Sequence, residues 1–181
     1  MSHAGRLLVA TPLIGDPNFE RTVVALLAHD RETGAFGLVL NRPSDMLVRD
    51  VTEGWDRSVA APGVVFFGGP VDTESLIGLA RGGSGDDRFA PLVGELGTID
   101  LARPPGDEHP PWFGLRLFLG SAGWGPGQLE AEISDGAWWV VDAAPDDIAT
   151  GDPDGLWGRV VRRQSGRLAW FANCPLDPTA N

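Results

Sequence analysis

Short apolar runs separated by glycine- and proline-rich breaks set the pattern of this chain. Leu7–Ala10, Thr22–Ala28, Ala35–Leu40 and Val64–Phe67 are dominated by aliphatic and aromatic side chains, several of them β-branched. Runs of that length and composition predict buried strands. The polar, glycine-ended loop His29–Gly34 between the second and third runs predicts a β-hairpin. Leu76–Ala80 reads as one more extended segment, and Leu168–Phe171 as a final edge strand or packed tail. Asp16–Phe19 predicts a single helical turn. Helical spacing occurs over Met46–Val51, where Ser44 or Asp45 can cap the start, and over Leu156–Arg163, where Leu156 and Val160 share a face.

The densest pattern lies in Trp112–Val141. Leu115–Leu119 predicts a strand, and Gly120–Gly127, with four glycines in eight residues, predicts a turn. Pro126 fits the first turn of a helix, in which Leu129 and Ile133 face the core while Glu130 and Glu132 point elsewhere. Asp135-Gly136 stops that helix and Ala137–Val141 returns as a strand. Arg81–Asp87 and Ala102–Pro111 are turn-rich and read as surface loops within one fold.

Composition narrows the chemistry. A chain of 181 residues, 43% hydrophobic and with seven Trp, predicts a single domain, residues 1–181, with a full core. The net charge of −11 disfavours nucleic acid or an anionic membrane as a general ligand. Every basic residue is Arg, which removes Schiff-base chemistry and the P-loop lysine. A lone Cys at 174 and the absence of a signal-peptide core or long apolar span lead us to expect a soluble cytoplasmic protein.

The motifs LLVATP (7–12), DPNF (16–19), RTVV (21–24), GAFGLVLNRP (34–43), GGPV (68–71), GWGPGQLE (123–130) and LW (156–157) run in order along almost the whole chain. In these the chain resembles the AlgH/YqgE family of bacterial proteins. The resemblance implies an α+β domain with a mixed or barrel-like, mostly antiparallel sheet and flanking helices. It implies little about function beyond the regulatory role that one member's name suggests. Ser121 departs from the pattern, which has an aromatic residue there, as does the glycine-rich 81–87 loop.

Several residues could carry a site, each with a plainer reading beside it. His29 at a strand end could act as a general base, or simply hydrogen-bond its loop with Asp30. Asn41-Arg42-Pro43 holds a guanidinium between a strand and a proline, aimed at a carboxylate or phosphate, or at one of the chain's own acids. Gly69 could belong to a backbone cradle or to a tight turn. Gly123, Trp124, Gly125 and Gln128 sit where a glycine turn enters a helix, an anion-binding arrangement that also serves merely to change direction. The dinucleotide fingerprint and the nucleophile elbow are both absent. Arg159, Arg162, Arg163 and Arg167 form a basic cluster that could meet phosphate or answer the acids of 146–154. No metal or cofactor is expected. The leading expectation is a non-enzymatic protein that binds a small molecule or protein partner. The alternatives are a transcriptional regulator, which needs the arginine cluster to form a patch, and a hydrolase or transferase, which needs His29, Asp30 and Arg42 to converge.

Overall fold

The computed structural model describes residues 2–106, 109–166, 169 and 171. Among these described residues ten strands and three short helices follow in the order β1 (Arg6–Ala10), β2 (Val23–Asp30), β3 (Gly34–Val39), β4 (Pro43–Leu47), α1 (Val48–Val51), β5 (Val64–Phe67), β6 (Val71–Arg81), β7 (Phe89–Val93), β8 (Leu96–Ile99), β9 (Phe113–Trp124), α2 (Gln128–Ser134), β10 (Trp138–Asp142) and α3 (Leu156–Arg162). The sheet runs β10-β1-β2-β3-β9-β6-β8-β7, with β4 and β5 branching from it. Among these named strands the pairings are antiparallel except that of β5 with β9, where Phe66 stands opposite Phe118. The sheet curls, so that a Cβ placed on Gly5, just ahead of β1, would lie 3.2 Å from Val93 of β7. This is the α+β fold with a mostly antiparallel, curled sheet that the resemblance implied.

The continuous apolar character of the first strands has a direct cause. Leu7 and Val9 of β1 pack with Phe66, Phe118 and the α3 residues Leu156, Trp157 and Val160. Leu8 and Ala10 point the other way, to Leu129 of α2 and to Trp124 and Trp138. A strand covered on both faces has no polar side, so its sequence does not alternate.

The largest departure from expectation is β9. The glycine segment after Leu119 is strand as far as Trp124, and Gly123 stands opposite Phe36 of β3. With β6 along one edge of β9 as far as Ser121, the other edge pairs Leu119 with Phe67 of β5 and Ala122 with Gly37 of β3, so that edge changes partner across these glycines. Gly120 permits this with φ +69°, and a Cβ there would lie 2.5 Å from the Gly69 carbonyl oxygen. Gly68-Gly69 is accordingly a close crossing of two backbones where a tight turn was one reading: Gly68 donates its N–H to Leu119 at 2.7 Å, and its carbonyl accepts from Val39 at 2.9 Å.

Smaller corrections follow the same logic. Helix α1 begins at Val48 and not at Met46, because Pro43–Leu47 pairs with β5. Ser44 does not cap it; its hydroxyl donates to the Val65 carbonyl at 2.6 Å. Strand β2 extends through Asp30, and β6 is longer than the predicted Leu76–Ala80. The β7–β8 hairpin was not anticipated; Pro91 is accommodated because β7 is an edge strand. The expected 168–171 element falls largely outside the described residues, and Cys174 entirely so.

Candidate functional site

Arg21 and Asp72 are the two non-glycine residues with positive φ among the described residues, Arg21 at 52°. A left-handed conformation for such a residue costs free energy and persists only where its surroundings impose it. Asn41 imposes it here. Its buried amide donates to the Arg21 carbonyl at 2.9 Å and accepts the Val23 N–H at 2.8 Å. The side chain thus takes the place of a ladder partner at the end of the β2–β3 pair.

The held backbone sends the Arg21 guanidinium over the Trp157 ring, 4.5 Å from its centroid. Trp157 is itself fixed, because its indole N–H donates to the Ala10 carbonyl at 2.9 Å and ties α3 to β1. Arg42 donates to the Glu20 carbonyl. Burial pushes its guanidinium pKa down from the ordinary value, against the opposing pull of Glu20 and Asp154. Together Arg21, Asn41, Arg42, Asp154, Trp157 and Arg162 line a cavity of about 420 Å³. Arg42 also walls a second cavity of about 410 Å³, shared with Asn18, Phe67, Gly69, Pro70 and Thr73. Both volumes lie within the usual range for small-molecule sites.

The eight sequence candidates therefore divide into two groups. Asn41, Arg42 and Gly69 meet around these cavities. His29, Gly123, Trp124, Gly125 and Gln128 lie at the other end of the β2–β3 hairpin, where His29 stands opposite Ala35. In this second group the polar atoms bond one another. Gln128 accepts the Gly125 N–H at 3.0 Å and donates to Glu132 at 2.9 Å. Glu132 also accepts the indole N–H groups of Trp124 and Trp138, at 2.9 and 2.8 Å. Glu130 pairs with His29 at 3.1 Å. Both glutamates, off the face that Leu129 and Ile133 share, thus anchor α2 to the sheet.

His29 is held on its other side as well. Its Nδ1 accepts the His3 N–H at 2.9 Å, and the two imidazole rings stack with centroids 5.1 Å apart. Burial, then the charges of His29 and Arg6, lower the His3 pKa from 6.5. The unfolded chain therefore binds the His3 proton more readily than the fold does, and the contribution is present above pH 6.5 and is lost as pH falls through the folded pKa. Following the His3 ring protons by NMR should show a midpoint below 6.5 that moves part of the way up in His29→Asn, which removes one cause and leaves burial in place; an unshifted midpoint in the unaltered protein would remove the stacked pair as a constraint on the N-terminus.

His29, Asp30 and Arg42 do not converge. Asp30 caps its own loop, accepting from the Glu32 and Thr33 N–H groups at 3.0 Å each. The α3 arginines do not act together either. Arg159 binds Asp152 at 3.1 Å, Arg163 binds the buried Asp147 at 2.6 Å, and Arg162 joins the cavity. No group of three or more His, Cys, Asp or Glu that could hold a metal occurs among the described residues. Nor is any helix among them long and apolar enough to cross a membrane.

Sequence reading missed Arg21 and Trp157 as members of the site. Both lie inside matched motifs, but a positive φ at position 21 and a cation over a ring 136 positions away leave no local signature.

A family model described as AlgH-like matches residues 7–169. A UPF0301 protein of Streptomyces coelicolor is 50% identical over 187 residues, covering 99% of this chain and 96% of its own length. A UPF0301 protein of Thermobifida fusca is 44% identical over 194 residues, covering 100% and 96%. Among solved structures, an X-ray structure of a Corynebacterium diphtheriae protein matches with a TM-score of 0.84 at 34% identity, covering 93% of this chain and 90% of that one. The solution structure of the AlgH protein from Pseudomonas aeruginosa matches with a TM-score of 0.70 at 29% identity, covering 97% and 95%. With a family model spanning most of its length and relatives matched end to end, the chain belongs to the AlgH-like UPF0301 family.

Proposed function

We propose that this protein is a non-enzymatic, cytoplasmic binding protein, acting as a single domain, whose ligand presents an anionic group to the cleft between Arg21, Arg42 and Arg162. One observation carries the reading. The chain has 25 acidic against 14 basic residues, yet among the described residues this cavity is lined by three arginines and one acid, Asp154. An acidic protein with a small cationic cleft admits a small anion and repels an extended polyanion. Guanidinium groups suit this role because their planar fork matches carboxylate and phosphate geometry. Among the described residues the lining holds no Ser, Thr, Cys or His, which favours binding over bond-breaking.

The test is native mass spectrometry of the protein purified from its own cytoplasm in phosphate-free buffer, beside Arg42→Met. A small anion should accompany the unaltered protein and be depleted roughly tenfold or more in the variant, the loss expected for one charge-assisted hydrogen bond. Equal retention by both proteins would sink the proposal.

A further inference from the structure

The cleft accounts for only one side of Arg42. On its other side the second cavity is lined largely by apolar groups, Pro17, Val39, Phe67 and Pro70, with Asn18 and Thr73 adding polar atoms. Among the described residues Arg42 is its one charged lining residue. We infer that the ligand is an amphiphilic organic anion, with its carboxylate or phosphate head among the three arginines and its apolar body in the groove over Phe67. This rests on the arginine cleft being the binding site.

Three features support the assignment. First, Phe67 is 50% exposed although it continues a strand whose Val65 and Phe66 are fully buried. A large aromatic left open inside a concavity is the kind of surface a ligand covers. Second, the groove and the cleft are mechanically joined, because the Phe67 N–H donates to the Arg42 carbonyl at 2.8 Å. The residue that walls both cavities is thereby pinned to the strand that presents the ring. Third, the groove is kept open by backbone. Gly69 has φ +148°, and a Cβ there would collide with the Ser121 carbonyl, so no side chain can fill the site from that position. A lone anion would leave Phe67 wet, and a neutral apolar molecule would add no charge partner to a partly desolvated Arg42 guanidinium that Glu20 and Asp154 offset. A molecule joining both chemistries answers both.

The experiment titrates the full chain with inorganic phosphate, octyl phosphate, octanoate and octanol by calorimetry, and repeats the phosphate and octyl phosphate titrations on Phe67→Ser and Arg42→Met. Octyl phosphate should bind at least about tenfold tighter than inorganic phosphate, since each buried methylene contributes favourably. Octanoate against octyl phosphate identifies the preferred head, and octanol should bind more weakly than either. Phe67→Ser should erase the gain from the octyl chain and leave phosphate affinity unchanged, whereas Arg42→Met should weaken both anions. Phosphate binding with no gain from the chain would overturn this inference and leave the cleft reading standing. Octanol binding as tightly as the anions would overturn it too, and failure of every anion to bind would overturn both. The comparison of ligands on the unaltered protein needs no variant to fold.

Discussion

Replacing Arg116 by methionine should cost the fold about 3–5 kcal/mol, read as a lower midpoint in urea unfolding with an unchanged slope. Arg116 is 1% exposed, near the start of β9. Among the described residues its partners are carbonyls and no carboxylate: its guanidinium donates to Ala61 at 2.8 Å, Thr150 at 2.7 Å and Ile148 at 3.4 Å. It also lies 4.2 Å over the centroid of the Phe66 ring. One side chain thus fastens two loops, one at residue 61 and one at 148–150, to the central strand.

Two opposing effects decide the sign. Burial pushes the Arg116 pKa down to about 10, so holding the cation indoors carries a penalty of roughly 3 kcal/mol by the usual conversion. Against it stand three charge-assisted hydrogen bonds, each contributing about 1.5–3 kcal/mol. Methionine removes the penalty and the bonds together, but it strands three carbonyls, and that last cost puts the balance against the variant. A change under about 1 kcal/mol would mean that water reaches those carbonyls and that the loops are not held by this residue.

Glu132→Ala should be the next most damaging change, at about 2–4 kcal/mol, because it removes the acceptor of two buried indoles at once. Trp124 and Trp138 are 6% and 3% exposed, and both N–H groups converge on Glu132 Oε2. The rings meet edge to face at 5.9 Å, and Phe19 packs against each, so loosening one indole loosens the cluster under α2. Glu132→Gln retains an acceptor oxygen and should lose far less. Thermal unfolding followed by tryptophan fluorescence separates the two substitutions; equal losses would show that the charge matters and the shared acceptor does not.

Both predictions rest on polar residues whose importance the sequence understated. Glu132 lies on what reads as the outer face of a short helix, and Arg116 is one Arg within a run that reads as a buried or half-buried strand. Helical and strand periodicity report which side chains share a face. They do not report that a second layer lies over the face presumed wet. The same limit hid the site. Asn41 and Arg42 were recognisable as an aimed pair after a strand, and Gly68-Gly69 as a place where the backbone does something unusual. Their convergence with Arg21 and Arg162 was not recognisable. The glycine-rich 120–127 segment misled in the opposite direction: glycine density signals conformational latitude, and here that latitude serves a strand changing partners where a turn was expected.

The amino-acid sequence by itself determined the short buried strands β1, β2, β3 and β5, the β2–β3 hairpin, helices α2 and α3 and the family, because each follows from residue types within a few positions of one another. Tertiary structure alone decided that β9 would join β3, β5 and β6, that Arg116 would be buried against backbone carbonyls, and that guanidinium groups from positions 21, 42 and 162 would face one cavity. Those outcomes depend on which distant segments pair and in which register, and pairing between distant segments is set by the packing of the whole sheet, which no local pattern encodes.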